Sequence, residues 1–246
     1  MNRWVETSRD PNDAVVLRQR AARLREARAS KLIDDRVGYL CALASDKDVL
    51  DVGIVDHTLA AAADDTWLHR RLCRVARSCL GVDVLSDEID RLRARGFNVL
   101  CHDLSETPLD ETFELVVCGE LIEHLDAPGP LLRNVKRMLR PGGLCVLTTP
   151  NPWYLNPIVK NCLGATVFEE NADHVAWFDP WTIAALAERC GLRLARFAGI
   201  KANAKTATAR LAMAVLSTLT HCGVRPELMA KSILYELVSE PDENTR

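Results

Sequence analysis

The sequence predicts an α/β chain: a doubly wound, mostly parallel sheet with a helix before it and a helical addition after it. Short apolar runs alternate with helical stretches between residues 47 and 200, and several runs end in an acidic residue or a glycine. That alternation implies βαβ units, whose crossovers bury a parallel sheet on both faces. At 246 residues the chain accommodates one such domain with modest additions.

The elements follow in order. From Asp13 to Ala44, apolar Val16, Leu17, Ala21, Leu24, Leu32, Ile33, Val37 and Leu40 recur at roughly helical spacing, with arginines between them. This stretch predicts an N-terminal helical extension over residues 1–46, its arginines on a solvated face. Val49-Leu50-Asp51-Val52-Gly53 reads as a buried strand closing in a tight turn, followed by a helix over Trp67–Cys79 and a strand at Leu80–Val84. A helix over Glu88–Arg95 stops at Gly96. Strands are expected at Asn98–Cys101 and Phe113–Cys118, and a helix at Pro130–Leu139. Arg140–Gly143 is a turn, and Leu144–Thr149 is another buried strand. Residues 149–178, carrying Pro150, Pro152 and Pro157, form a long irregular excursion, which at the end of a sheet strand points to function. A helix from Asp179 to Cys190 ends at Gly191, a last strand spans Leu192–Phe197, and residues 201–246 predict a helical tail, either a cap or a dimerisation element.

Composition narrows the function. Hydrophobic residues make up 48% of the chain, charged residues 26%, and the net charge is −3, values ordinary for a globular protein and too weakly charged for a nucleic-acid binder or a polybasic anchor. The nine cysteines (Cys41, Cys73, Cys79, Cys101, Cys118, Cys145, Cys162, Cys190 and Cys222) are odd in number and form no C-x-x-C pair. They read as small buried thiols in a reducing compartment. The N-terminus carries no apolar signal core, and no run reaches the length of a membrane span. The expected location is cytoplasmic.

In an open parallel sheet, ligands bind beyond the carboxyl ends of the strands near the switch point. Asp51 and Gly53 fall at the end of the first strand. Asp83 ends the second, where an acidic residue accepts from a pair of ribose hydroxyls. Asp103 and Leu104 follow the third, with Asp103 placed to accept from an adenine amino group, and Gly119 and Glu120 follow the fourth.

Taken in order, Val-Leu-Asp-Val-Gly, Gly-Val-Asp-Val, His-Asp-Leu, Phe-Glu-Leu-Val-Val-Cys-Gly-Glu-Leu-Ile-Glu-His-Leu and Leu-Arg-Pro-Gly-Gly resemble the successive motifs of class I S-adenosylmethionine-dependent methyltransferases. The resemblance covers residues 48–150, and Trp177-Phe178-Asp179-Pro180 adds to it. It implies a Rossmann-like methyltransferase domain over residues 47–200. It also implies S-adenosyl-L-methionine (SAM) as cofactor, held by Asp51, Gly53, Asp83, Asp103, Leu104, Gly119 and Glu120. One departure stands out: Val55 and His57 occupy the places of the second and third glycines in the family's D-x-G-x-G-x-G loop. The intact Asp83 and Asp103 favour a loop on a different path over a lost cofactor site.

Methyl transfer to a hydroxyl needs the acceptor close, in line and relieved of its proton. In Glu120-Leu121-Ile122-Glu123-His124 the spacings i, i+3 and i+4 place two carboxylates and an imidazole on one helical face, and His174 comes from the excursion. Glu120, Glu123, His124 and His174 are the expected ligands of Mg²⁺ or Mn²⁺. Without a metal, His174 or His124 is the candidate general base, with Glu123 beside it and His57 a weaker candidate. The E-x-x-E-H pattern with a later histidine is similar to metal-dependent 2′-O-methyltransferases of small RNAs, and E-x-x-E-H alone to ubiquinone-pathway O-methyltransferases. Trp153, Tyr154, Trp177 and the neighbouring asparagines suit a sugar or oligosaccharide acceptor. The Thr-Thr-Pro-Asn-Pro turn also resembles methyltransferases of bacterial polysaccharide pathways, including those of methylated-mannose polysaccharides. A quinone-like or phenolic hydroxyl, an RNA 2′-hydroxyl and a non-catalytic methyltransferase-like binding module are the alternatives. A homodimer through the helical regions is an expected assembly.

Overall fold

The computed structural model describes residues 10, 12–55, 65–164, 171–201 and 225–239. Seven strands form one sheet: β1 (Asp48–Val52), β2 (Ser78–Asp83), β3 (Val99–Cys101), β4 (Phe113–Gly119), β5 (Leu139–Pro150), β6 (Leu192–Lys201) and β7 (Ala230–Ser239). Their order is β3-β2-β1-β4-β5-β7-β6. The first five are parallel, and β7 runs antiparallel to both β5 and β6. The order reverses between β1 and β4, so the crevice beyond their carboxyl ends is the topological switch point.

Strand residues alternate between two cores, as a period of two requires. In β4, Val116 and Cys118 join one cluster while Leu115 and Val117 join the other. The first face is covered by α5 (Pro128–Met138) and α7 (Pro180–Arg189) through Leu131, Leu132, Val135, Ile183 and Ala187. The opposite face is covered by α2 (Arg36–Ala44) and α3 (Leu68–Val75) through Leu40, Ala44 and Leu72. A smaller cluster forms where α4 (Ser86–Ala94) places Ile89 and Leu92 against Trp67, Ile54 and Val99. α7 starts as its sequence dictates: Pro180 opens it, and the Asp179 carboxylate accepts from the Thr182 backbone while the Thr182 hydroxyl accepts from the Asp179 N–H, a closed capping box.

Four expectations are corrected. The single helix over Asp13–Ala44 is two: α1 (Ala14–Ala27) and α2, which Asp35 caps by accepting from the Gly38 N–H at 3.0 Å. The chain between them runs extended along the outer edge of β6. The Ala29 and Ile33 N–H groups donate to Phe197 and Gly199 carbonyls, and the Lys201 N–H donates back to Ile33. This cover satisfies an otherwise open sheet edge, a tertiary gain that helical periodicity cannot register. The predicted helix over Trp67–Cys79 ends at Val75 because Ser78 and Cys79 already pair with β1. The turn at Arg140–Gly143 is a bulge within β5: Leu139 pairs with Phe113 and Leu144 with Leu115. The irregular excursion contains a helix, α6 (Leu155–Cys162).

The tail expectation fails where it is described. Residues 230–239 are not helix but β7, inserted between β5 and β6, with Tyr235, Leu234 and Leu237 fully buried. A strand buried on both faces is a continuous apolar run, which a periodicity argument does not separate from a buried helix. Residues 202–224, with Cys222, lie outside the described residues, as do His57 and residues 165–170. Of the other eight cysteines, all are free thiols, but Cys101 and Cys162 are exposed. Among the described residues no helix is long and apolar enough to cross a membrane.

Because β7 bridges β5 and β6, a chain truncated before Arg225 is expected to lose cooperative unfolding and near-UV circular dichroism. Retention of both would return this segment to the status of an appendage.

Candidate active site

The loop after β1 turns at Gly53, whose φ of +73° lies in the left-handed region. A Cβ there would stand 3.0 Å from Leu121 Cδ1, so the backbone also approaches the loop after β4 closely. The next residues leave the strand under the control of Asp83, which accepts from the Val55 N–H at 2.9 Å and from the Leu85 N–H at 3.1 Å. Val55 thereby packs against the Ile54–Trp67–Ile89 cluster. The path differs from a glycine-lined loop, and the crevice stays open. A cavity of about 460 Å³ lies at the carboxyl ends of β1, β2 and β4, lined by Asp51, Gly53, Asp83, Gly119, Glu120 and His124 among others. That volume falls within the range of small-ligand pockets.

The structure thus brings together five of the seven residues expected to hold the cofactor. Asp103 and Leu104 are not in the cavity lining. Asp103 is exposed beyond β3, and its carboxylate accepts from the Ser105 N–H at 2.7 Å, closing a turn. Leu104 is buried, with its carbonyl accepting from Asn134 Nδ2. Asp51 is 3% exposed and its carboxylate is bound to His69 Nδ1 at 3.0 Å. Burial opposes a charged imidazole, but hydrogen bonds and charge from Asp51 and Cys73 outweigh it and lift the His69 pKa to about 9. Sequence reasoning missed His69, although His69 and Cys73 stand at the i, i+4 spacing of one helix face.

At the end of β4 the chain does something periodicity does not foresee. Glu120 adopts φ +51°, unusual for a residue with a side chain, and its N–H donates to the Thr148 carbonyl at 2.8 Å. Its carboxylate turns toward α2 and β7, accepting from Arg36 Nη1 at 3.3 Å and from the Ser232 hydroxyl at 3.5 Å. Only then does a short 3₁₀ turn form over Ile122–His124. Arg36 and Ser232 were not among the expected site residues, and nothing local to them in sequence signals this contact.

Glu123 points the other way. Its residue exposure is 0%, and neither carboxylate oxygen has a well-formed hydrogen bond; the buried Thr149 hydroxyl beside it is in the same condition. Its backbone carbonyl accepts from the Val175 N–H at 2.9 Å and the Ala176 N–H at 3.3 Å, which pins the 171–178 segment against the turn. That tie brings His174 to His124, with ring centroids 4.7 Å apart and planes at 76°. One ligand atom each from Glu123, His124 and His174 lies within 4.8 Å of the others. Glu120 is outside this group, a correction to the expected four-ligand set: its positive φ removes it from the helical face that Glu123 and His124 were expected to share with it.

Burial, with the nearby Glu120 charge, raises the Glu123 pKa to about 7. His124 also lines the large cavity, so the three-residue cluster and the crevice adjoin.

The family profile described as "Methyltransferase domain" matches residues 19–196. This chain belongs to the class I S-adenosylmethionine-dependent methyltransferases. A "Ubiquinone biosynthesis O-methyltransferase" of Coxiella burnetii is 27% identical over 165 residues, covering 63% of this chain and 67% of the relative. A Mycolicibacterium smegmatis protein, "Probable S-adenosylmethionine-dependent methyltransferase/", is 29% identical over 133 residues, covering 53% and 47%. Among solved structures, a SAM-dependent methyltransferase from Archaeoglobus fulgidus superposes with TM-score 0.52 at 19% identity, covering 81% of this chain and 89% of the other. The magnesium protoporphyrin IX methyltransferase of Synechocystis, solved with bound S-adenosylhomocysteine, gives TM-score 0.52 at 12% identity, covering 94% and 97%. At such identities these structures speak for the fold alone. The doubly wound, mostly parallel sheet and the methyltransferase assignment drawn from the sequence both hold.

A carboxyl whose folded pKa lies above its unfolded value of 4.5 contributes stability that is present below about pH 4.5 and lost as pH rises through about 7. Glu123→Gln carries no charge to bury, so its stability relative to the parent is expected to improve by up to about 3 kcal/mol between pH 4.5 and 8. Urea denaturation in EDTA at the two pH values measures this. A difference independent of pH contradicts the assigned burial of charge.

Proposed function

We propose that this methyltransferase transfers its methyl group to a hydroxyl oxygen of a sugar or oligosaccharide, with Glu123, His124 and His174 forming the centre that prepares the acceptor. The observation that carries this reading is the buried Glu123 carboxylate, which has no well-formed hydrogen bond and groups with two imidazoles beside the crevice. An ionised carboxylate in that position costs several kcal/mol unless something positive meets it.

Bound in the crevice, SAM supplies a methyl carbon made electrophilic by its positively charged sulfur. The residues present fit it: Asp83 lines the cavity, each of its oxygens accepts a single backbone N–H and so has acceptor capacity left, and Gly53 lets backbone lie close to a ligand. What remains for the chain is to orient the acceptor hydroxyl and take its proton. An imidazole nitrogen of His174 or His124 accepts that proton, and Glu123, ionised above about pH 7, stabilises the resulting imidazolium. The same three side chains would hold a dication that lowers the pKa of the hydroxyl. With Glu120 engaged by Arg36, the donor set is one carboxylate and two imidazoles, which suits Mn²⁺ better than the oxygen-seeking Mg²⁺.

The aromatic rings support a sugar. Trp153 is 55% exposed and Trp177, within the 171–178 segment, is 47% exposed, and both offer faces on which a pyranose can stack. Trp153 Nε1 donates to Asp179 Oδ2 at 3.3 Å, which fixes one of these faces. A phenolic or quinol hydroxyl is the second reading, favoured by the name of the Coxiella relative. The net charge of −3 supports neither a nucleic-acid acceptor nor a polyanion.

Replacing Asp83 by Ala is expected to weaken S-adenosylhomocysteine binding roughly 10- to 100-fold, the worth of one or two charge-assisted hydrogen bonds; isothermal titration calorimetry reads it. Glu123→Ala and His174→Ala should leave that affinity within a few-fold while lowering turnover by about 10²–10⁴-fold. Radiolabelled turnover across mannosides, glucosides and catechols, with Mn²⁺, Mg²⁺ or EDTA, locates the acceptor. Activity unchanged in both variants removes the cluster from the mechanism, and absence of both turnover and cofactor binding leaves a non-catalytic module.

A further inference from the structure

A second group of metal-ligating side chains adjoins Asp51 at the wall of the crevice, whose lining includes His69. His69 and Cys73, one helical turn apart on α3, meet Cys79 from β2, and one ligand atom of each lies within 4.8 Å of the others. The His69 ring is 1% exposed. Its Nδ1 is committed to the Asp51 carboxylate at 3.0 Å, while Nε2 faces the Cys73 sulfur at 3.4 Å; Cys79 Sγ is 4.0 Å from the Nδ1 edge. The backbone makes room for this ring, because a Cβ at Gly81 would stand 2.6 Å from His69 Cε1. The Asp51 carboxylate accounts for the Nδ1 edge of the ring, which leaves the Nε2 edge facing thiols rather than a stronger acceptor.

We propose that His69, Cys73 and Cys79 form a zinc site that ties α3 to β2 at the wall of the cofactor crevice. Two thiolates and one imidazole are a zinc donor set rather than a magnesium or calcium one. Zinc–sulfur and zinc–nitrogen bonds set ligand atoms roughly 3.4–3.8 Å apart around a tetrahedral ion, so the 3.4 Å between Cys73 Sγ and Nε2 already fits. Cys79 Sγ, which lies 4.0 Å from Nδ1, has to move toward the Nε2 side to share one ion with Cys73. Asp51 occupies the place of the carboxylate that orients a zinc-bound histidine by accepting from its other ring nitrogen. On binding, zinc replaces the protons on Nε2 and on both thiols, and these pass to solvent. Cys73, partly exposed, provides the route of entry and leaves the fourth position to water. This site is separate from Glu123, His124 and His174, which offer no sulfur.

The test uses the full chain, reduced, stripped with chelator and titrated with Co²⁺ alone. A thiolate-to-cobalt charge-transfer band that saturates at one equivalent and disappears on adding Zn²⁺ is expected, and Cys73→Ser should abolish it while keeping its circular dichroism. The oxygen and nitrogen donors around Glu123 cannot give that band. Since a cysteine variant can fail to fold, alkylation of the unmutated chain provides a second measurement. Zn²⁺ should slow modification of Cys73 several-fold and leave the exposed Cys101 and Cys162 unchanged. A missing band, a band that survives Cys73→Ser, or equal alkylation with and without zinc overturns the proposal.

Discussion

Just past the end of β4 stands a buried carboxylate with no well-formed hydrogen bond, and the turn that carries it also ties down the 171–178 segment. Glu123 is held there by its own backbone: its carbonyl accepts from Val175 and Ala176, and that pairing carries His174 across to His124. Removing charge from water without a partner costs several kcal/mol, so the side chain rests as a neutral acid or meets a cation. Both states belong to acid–base chemistry at a hydroxyl. The raised pKa of about 7 places the change between them where such chemistry operates.

The cofactor crevice obeys a different constraint. Val55 stands where the family carries a glycine, and the Asp83 carboxylate holds its N–H at the wall of the crevice. Its side chain packs against Ile54, Trp67 and Ile89. One acidic residue thereby holds the described start of the loop and lines the crevice. Asp51, by contrast, lines the crevice with its carboxylate already bound to His69.

Much of this architecture is legible in the sequence, for stated physical reasons. The parallel strands β1, β2 and β4 are short apolar runs ending in Asp or Gly, and their ends converge because the sheet is doubly wound. The pairing of Glu123 with His124 follows from adjacency, and His174 was expected from residue type. Three things were not legible. Glu120 leaves the group because a single left-handed φ turns its side chain toward Arg36, and spacing rules assume uniform helical angles. β7 is read as helix because a strand buried on both faces has no alternation to reveal it. The break between α1 and α2 exists because residues 28–33 are needed along the edge of β6, a demand set by residues almost 170 positions away.

In its metal-bound form, the proposed centre holds a cation between Glu123, His124 and His174, next to the cofactor. Crystals of the chain grown with S-adenosylhomocysteine and Mn²⁺, measured for anomalous scattering, test it most directly. The account predicts a manganese peak within bonding distance of all three side chains, with the thioether in the crevice beside Asp83. An occupied crevice with no anomalous peak at Glu123, or a peak held by Glu120 in its place, would contradict it.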